Sequence, residues 1–182
     1  MEFIEQKIPG VFIIEPKVFG DERGYFMETY RKDLFDANVA KTEFLQDNES
    51  CSTYGVLRGL HYQTGEYSQA KLVRVIEGKV LDVAVDLRKS SPTFGQHVAV
   101  ELSSRNKRQL FIPRGFAHGF LVLSETAVFT YKVDNVYAPN AEASLQFNDP
   151  ALQIHWPVPE SEMILSSKDR SGKPLSETIL FE

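Results

Sequence analysis

The sequence predicts an all-β fold, an antiparallel sandwich or barrel with few short helices. Apolar and other residues alternate in several short runs, and this period of two is typical of strands. Turn-forming residues separate the runs at short intervals. Many short strands at close spacing indicate a sandwich or barrel, and a length of 182 residues suits a single domain spanning residues 1–182.

The N-terminal part of the chain is predicted to form an arm followed by a helix. The arm, about residues 1–30, is rich in strand-forming residues from Phe3 to Met27. Because exposed strand edges favour pairing with another chain, we expect it to lie at a dimer interface. The best helix candidate is Arg31 to Val39, where Leu34 and Phe35 can line one side with Val39.

The central strands follow in order. In Val80–Leu87, Leu81, Val83 and Val85 share one face, and Asp82 lies on the other face with Ala84 and Asp86. The remaining clear strands are Lys71–Glu77, His97–Leu102, Gln109–Ile112 and Ala127–Val133. The expected turns are Glu77-Gly78-Lys79, Ser90 to Thr93, Ser103 to Asn106 and Pro113-Arg114-Gly115. Short turns are expected at Pro150–Leu152 and Pro157–Met163, and a C-terminal arm, about residues 160–182, should pack on the barrel as a loop.

Composition narrows the class of function. The chain has 20 Lys and Arg against 25 Asp and Glu, a net charge of -5, which argues against non-specific nucleic-acid binding. The apolar runs are far shorter than the roughly 20 residues of a membrane span, and Met1 to Lys7 has no signal-peptide pattern. The single cysteine, Cys51, cannot form an internal disulfide. We therefore expect a cytoplasmic protein with no membrane or nucleic-acid partner.

The first polar cluster combines Gln46-Asp47-Asn48, the run from Gly55 to Gln63, and Lys71. Within that run, Arg58 offers a planar fork of donors suited to phosphate. Histidine is the one side-chain type whose unperturbed pKa lies near neutrality, so a histidine at position 61 can serve as a base. A surface arginine and a hydrogen-bonded structural histidine remain an equally acceptable interpretation of these residue types.

The second cluster, Phe111 to Phe120, contains Pro113-x-Gly115-x-x-His118, which occurs as the second half of the cupin metal motif. The turn before His118 places its imidazole at the mouth of the sheet. The first half of that motif normally supplies two histidines one residue apart and a glutamate, whereas this chain has His61-Tyr62-Gln63. Two histidines without a third strong ligand make a poor transition-metal site, so we expect no metal.

The third cluster joins Tyr131-Lys132 and Tyr137 to the later segment Ser166 to Asp169. Tyr131 shares a strand face with Phe129, so packing explains it as well as chemistry does. Lys168 and Asp169 would by default be solvated.

Taken together, these segments resemble the dTDP-4-dehydrorhamnose 3,5-epimerase family, which are metal-free cupin enzymes. The similarity extends from about Pro9 to about Pro174. It is carried by strings in family order: Arg23-Gly24-Tyr25-Phe26, Gln46-Asp47-Asn48, Gly55 to Gln63, Ser91-Pro92-Thr93-Phe94-Gly95 and Phe111 to Phe120. The resemblance implies a cupin-type jelly roll without a cofactor. It also implies epimerisation of dTDP-4-dehydro-6-deoxy-D-glucose at C3 and C5, in dTDP-L-rhamnose synthesis.

The resemblance also implies roles for the clustered residues. His61 would be the base, Asp169 its buried partner and Tyr131 the acid on the other side of the sugar ring. Lys71 would stabilise the enolate oxygen, and His118 would hydrogen-bond the sugar or that oxygen.

The substrate-binding residues follow in the same way. Arg23 and Arg58 resemble the diphosphate-binding arginines, and Phe26 and Glu28 the deoxyribose and thymine contacts. The further substrate contacts implied are Gln46, Asn48, Tyr137, Glu142 and Lys168. In the family some nucleotide contacts come from the partner subunit's arm, so a homodimer is implied.

Three alternatives stay open from the sequence. A single-site epimerase of another dTDP-4-keto-deoxysugar would use the same base. A metal-dependent cupin is disfavoured by the missing ligand, and a non-catalytic nucleotide-sugar binder would not need His61, Asp169 and Tyr131 together.

Overall fold

Strands account for most of the regular structure in the computed structural model, which describes residues 1–182. In chain order they are β1 (Glu2–Glu5), β2 (Phe12–Glu15), β3 (Val18–Asp21), β4 (Gly24–Met27), β5 (Gln46–Thr53), β6 (Leu57–Gln63), β7 (Lys71–Glu77), β8 (Lys79–Asp86), β9 (His97–Ser103), β10 (Gln109–Ile112), β11 (Phe116–Val122), β12 (Thr126–Val133) and β13 (Glu142–Ser144). The two α-helices are α1 (Lys32–Asn38) and α2 (Ser167–Arg170). Short 3-10 turns include Pro150–Leu152 and Glu160–Glu162, where the sequence predicts turns.

Two antiparallel sheets form a cupin-type sandwich. The six-stranded sheet has the order β1-β2-β10-β7-β12-β5, and the five-stranded sheet has the order β13-β6-β11-β8-β9. Strands β3 and β4 form a separate hairpin. The all-β prediction is confirmed. The predicted bounds of β7 and β10 agree with the structure, those of β9 and β12 differ by one residue at one end, and those of β8 differ by one residue at both ends.

The main core lies between the sheets. Val73 of β7 and Phe129 of β12 meet Phe116 and Phe120 of β11 in one buried cluster. The period of two on each strand sends these side chains inward, because successive residues of a strand point to opposite faces. Burial of this apolar surface is the main favourable contribution to folding.

A second cluster covers the outer face of the five-stranded sheet. Val83 and Val85 of β8 and Leu121 of β11 pack there against Leu145 and Met163 from the C-terminal third of the chain. Strand β11 is consequently buried along its whole length, which is why its sequence is almost uninterruptedly apolar. The mixed face of β8, which carries Asp82 and Ala84, therefore points into the sandwich.

Helix α1 covers part of the outer face of the six-stranded sheet. Phe35 is its one buried residue, and it packs against Phe111 of β10 in a third cluster. The predicted helix over Arg31–Val39 is confirmed with both ends one residue shorter.

The two arms differ in how they attach. In the N-terminal arm, β1 and β2 join the six-stranded sheet of their own chain, with β2 paired to β10. The β3–β4 hairpin pairs with no other strand, and Phe26 on it is 71% exposed. The C-terminal arm packs on the five-stranded sheet, as expected. It also contains the helix α2, which the sequence analysis did not predict.

Candidate active site

A cavity of about 680 Å³ opens between the two sheets. It collects residues from all three polar clusters of the sequence. The predicted site residues that line it are Arg58, His61, Lys71, His118, Tyr131, Tyr137, Glu142, Lys168 and Asp169.

His61 reaches this cavity from β6, next to a close approach of two strands. Gly59 has a φ of +135°, and a Cβ on it would lie 2.5 Å from the Cα of Gly119 on β11. Only glycine fits this backbone, since an L side chain would meet both strain and a clash. A register shift between β6 and β11 follows between His118 and Phe120.

Asp169 lies directly behind His61. The Oδ1 atom of Asp169 is 2.9 Å from Nε2 of His61 but off the line of the N–H bond, so the two groups are in close contact without a hydrogen bond. Asp169 is 4% exposed, whereas the His61 side chain is a quarter exposed. The Nδ1 atom of His61 has no hydrogen-bond partner in the protein and remains open to the cavity. The contact thus leaves Nδ1 as the nitrogen that can exchange a proton with a ligand.

The position of Asp169 depends on a capping box at the start of α2. Its Oδ2 accepts hydrogen bonds from the backbone N–H of Ser166 at 2.9 Å and from the Ser166 hydroxyl at 2.5 Å. Its Oδ1 also accepts the backbone N–H of Gly59 at 3.0 Å. Burial alone would raise the pKa of Asp169, but His61 and these hydrogen bonds outweigh burial and hold the pKa below its usual range. The carboxylate therefore stays ionised at neutral pH.

Tyr131 enters the cavity from β12, on the sheet opposite His61. Its ring lies 6.2 Å from that of Phe129, as their shared strand face predicts. Its hydroxyl has no hydrogen-bond partner in the protein and is not enclosed. Burial raises the pKa of the phenol above its ordinary value, so the hydroxyl keeps its proton at neutral pH.

Lys71 begins β7 and shares the inward face with Val73, which brings its ammonium into the sandwich. Burial lowers the pKa of Lys71 to about 8, partly opposed by the carboxylate of Asp82. The ammonium form still predominates at neutral pH.

His118 forms a buried pair with Asp82, a residue that the sequence analysis did not select. Both carboxylate oxygens of Asp82 lie 3.0 Å from Nε2 of His118, and Asp82 is 0% exposed. The expectation that His118 lies at the mouth of the sheet is wrong, because His118 belongs to β11, which is buried along its whole length. A lone aspartate inside an apolar run, Leu81-Asp82-Val83, was the available signal.

The rim of the cavity carries polar groups of both signs. Arg58 donates from Nε to the Ser52 hydroxyl at 2.9 Å. Glu142 accepts a hydrogen bond from the Tyr137 hydroxyl at 3.1 Å and also contacts the Lys168 ammonium.

Five predicted residues do not line this cavity. Gln46 and Asn48 lie beside it on β5, where Gln46 donates to Asn48 at 2.8 Å and Asn48 pairs in register with Tyr131. Arg23, Phe26 and Glu28 belong to the separate hairpin or follow it directly, and Arg23 is paired with Asp21 at 2.5 Å.

The structure offers no ready site for a metal ion. No group of three or more His, Cys, Asp or Glu side chains is arranged to hold one.

Neither helix is long and apolar enough to cross a membrane.

Comparison with known proteins connects this site to a family. The family model described as dTDP-4-dehydrorhamnose 3,5-epimerase matches residues 5–177. The dTDP-4-dehydrorhamnose 3,5-epimerase of Shigella flexneri is 54% identical over all of this chain and 99% of its own length.

Two solved structures of sugar-nucleotide epimerases have the same fold as this chain. The dTDP-6-deoxy-D-glucose-3,5-epimerase of Legionella pneumophila, in complex with dTDP-4-keto-L-rhamnose, has a TM-score of 0.93 and 50% identity, covering 97% of this chain and 93% of that one. ChmJ of Streptomyces bikiniensis, a 3'-monoepimerase, has a TM-score of 0.88 and 32% identity, covering 95% and 87%. The matched range, the identity over the whole length and the shared fold together show that this chain belongs to the dTDP-4-dehydrorhamnose 3,5-epimerase family.

Proposed function

We propose that the chain converts dTDP-4-dehydro-6-deoxy-D-glucose to dTDP-4-dehydro-L-rhamnose by removing and returning protons at C3 and C5. The observation that carries this proposal is the placement of His61, backed by Asp169, and Tyr131 on opposite sheets around one cavity. The identity of half or more to 3,5-epimerases supports the double reaction.

The chemistry needs a base, an acid and a stabilised oxygen. The ketone at C4 acidifies the hydrogens at both neighbouring carbons, C3 and C5. Removing either hydrogen as a proton gives an enolate with its charge on the C4 oxygen, and returning a proton to the other face inverts the carbon. No hydride or electron is transferred, so the reaction as proposed uses no cofactor and no metal.

His61 is the proposed base. A neutral imidazole takes a proton at Nδ1, and the resulting imidazolium is stabilised by the ionised Asp169 at Nε2.

Tyr131 is the proposed acid. Its hydroxyl is protonated at neutral pH and free of protein partners, so it can donate to a carbanion on the face away from His61. The imidazolium of His61 would then give up its proton and the phenolate of Tyr131 would regain one through water in the open cavity, which restores both groups for the second carbon.

Lys71 is the proposed partner of the enolate oxygen. A fixed ammonium inside the sandwich interacts more strongly with the full negative charge of the enolate than with the ketone dipole, so it lowers the barrier. Solvent screens it less there than at the surface.

The nucleotide would be held at the rim. Arg58 and Lys168 supply positive charge for the diphosphate, and Tyr137 is an exposed aromatic ring beside them. Glu142 forms an ion pair with the Lys168 ammonium in the free protein, and a bound diphosphate would compete with Glu142 for that ammonium.

A homodimer would complete the site. Arg23, Phe26 and Glu28 do not line the cavity of their own chain, while Phe26 and Tyr25 on the hairpin are 71% and 58% exposed. We propose that the hairpin reaches the cavity of a second copy. A mixture of His61→Asn and Arg23→Ala chains, co-refolded, should regain activity because one site in each mixed dimer is intact. Activity no greater than the sum of the separate variants would refute this.

One experiment tests the reaction itself. The 4-keto sugar nucleotide is incubated with the protein and a chelator in heavy water and followed by NMR. We expect deuterium at both C3 and C5 and, after reduction, an L-rhamno product. Deuterium at C3 alone would instead assign a single-site epimerase, the alternative favoured by the likeness to ChmJ. No exchange at either carbon would refute both.

A further inference from the structure

Asp82 and His118 form the most deeply buried polar pair at the cavity, and no step proposed above uses Asp82. Asp82 is 0% and His118 7% exposed. Since a carboxylate only accepts hydrogen bonds, the nitrogen that faces it, Nε2, must carry the hydrogen. In a neutral imidazole the other nitrogen, Nδ1, then presents a lone pair.

The Nδ1 atom of His118 points to open space. It has no hydrogen-bond partner within the protein, and it is not enclosed by protein atoms. Because His118 lines the cavity, that open space is the cavity itself.

We propose that Asp82 is a positioning residue that fixes the tautomer of His118, so that Nδ1 accepts a hydrogen bond from a hydroxyl group of the bound hexulose. This rests on the proposed function for the identity of the ligand. It rules out a role that the resemblance allowed, in which His118 donates to the ketone or enolate oxygen. Lys71 would then be the donor to that oxygen.

The surroundings favour a neutral ring. His118 shares its neighbourhood with the cations or potential cations Lys71 and His61, and with the single carboxylate of Asp82. Burial, together with Lys71 and His61, lowers the pKa of His118 despite Asp82. A second full positive charge beside Lys71 is thus disfavoured, and the tautomer rather than the charge is what Asp82 determines.

Nitrogen NMR of the folded protein tests the tautomer without any substrate. The chain has four histidines, so ¹⁵N-histidine labelling yields a readable spectrum. We expect His118 to show a protonated Nε2 and an unprotonated Nδ1. His97 is an internal control with the opposite tautomer, because its Nδ1 lies 3.0 Å from the carbonyl of Leu152 and should carry the hydrogen. An Nδ1–H tautomer or an imidazolium at His118 at neutral pH would overturn the proposal.

Two substitutions extend the test. Asp82→Leu removes the acceptor, so His118 should change to the Nδ1–H tautomer, whose hydrogen can bond cavity water, while His97 does not change. Asp82→Asn removes the charge but keeps a carbonyl acceptor, and should retain more of the original tautomer.

The kinetic outcomes separate this proposal from the epimerase assignment. With Asp82→Leu, kcat/KM should fall about two- to tenfold, the value of one hydrogen bond to the substrate, with dTDP affinity unchanged. With Asp82→Asn, kcat/KM should fall less than with Asp82→Leu. A switched tautomer with unchanged kcat/KM would refute the role of Nδ1. If the wild-type protein has no epimerase activity yet shows the expected tautomer, the proposed function fails and the tautomer assignment stands.

Discussion

Replacing Tyr131 by phenylalanine removes one oxygen atom and separates the two halves of the proposed reaction. The Tyr131 hydroxyl bonds to nothing in the protein, and the ring contact with Phe129 stays. We therefore expect the free energy of unfolding to change by no more than about 0.5 kcal/mol. Any loss of activity would then come from chemistry, since the fold is preserved.

The size of that loss follows from the role of the acid. A positioned general acid contributes about 10²- to 10⁴-fold, so inversion should slow by that factor. His61 and Asp169 remain, so the substrate should still lose a proton to His61 and regain one from it on the same face. His61 is a quarter exposed and can exchange that proton with solvent. The variant should thus incorporate deuterium with retained configuration.

The assay follows both rates in one tube of heavy water, deuterium uptake by mass spectrometry and configuration by NMR. Tyr137→Phe is the matched control, because it also removes a cavity phenol oxygen, but one bonded to Glu142 at the rim. That control should mainly weaken binding. Inversion by Tyr131→Phe at the wild-type rate would show that Tyr131 is not the acid. An equal fall of exchange and inversion would show that it serves the base step.

Four other outcomes are expected. Turnover should fall as the pH rises through about 8, because Lys71 loses its charge there. Lys71→Ala should lower kcat and remove this fall at high pH, and a variant that keeps the fall would assign it to another group. His61→Asn should abolish exchange at both carbons and leave dTDP affinity, measured by calorimetry, within about twofold; a parallel loss of affinity would make His61 a binding residue. Arg58→Ala should raise KM with little change in kcat, because diphosphate contacts are equal in ground and transition states, and a fall in kcat alone would contradict this. Gly59→Ala should destabilise the fold by about 2 kcal/mol or more in denaturant unfolding, since the new Cβ meets the Gly119 backbone, and an unchanged midpoint would contradict the clash.

The strands were predictable because their signal is local. Alternation along β7 and β12 depends only on neighbouring residues, and it placed Tyr131 on the same strand face as Phe129. Helix α2 was missed, although Ser166 and Asp169 have the spacing of a capping box. A helix of four residues has too little apolar periodicity to be recognised without that signal.

The site residues were recognised through the ordered strings that resemble a family, and residue types alone left each of them open. His61 was equally a structural histidine, and Tyr131 equally a core residue. Asp82 matched no such string and was overlooked. Its importance depends on the neighbour that it meets across the sheet, His118 on β11.

Composition, alternation and motif order determined the class of fold, the positions of five central strands to within one residue, and the family. Only the tertiary structure decided which groups act together, because Asp169 meets β6 across a separation of 110 residues and β12 lies on the sheet opposite His61. Periodicity specifies which way a side chain points from its own strand. Which partner it meets depends on how the two sheets pack, and that packing is set by the whole core at once.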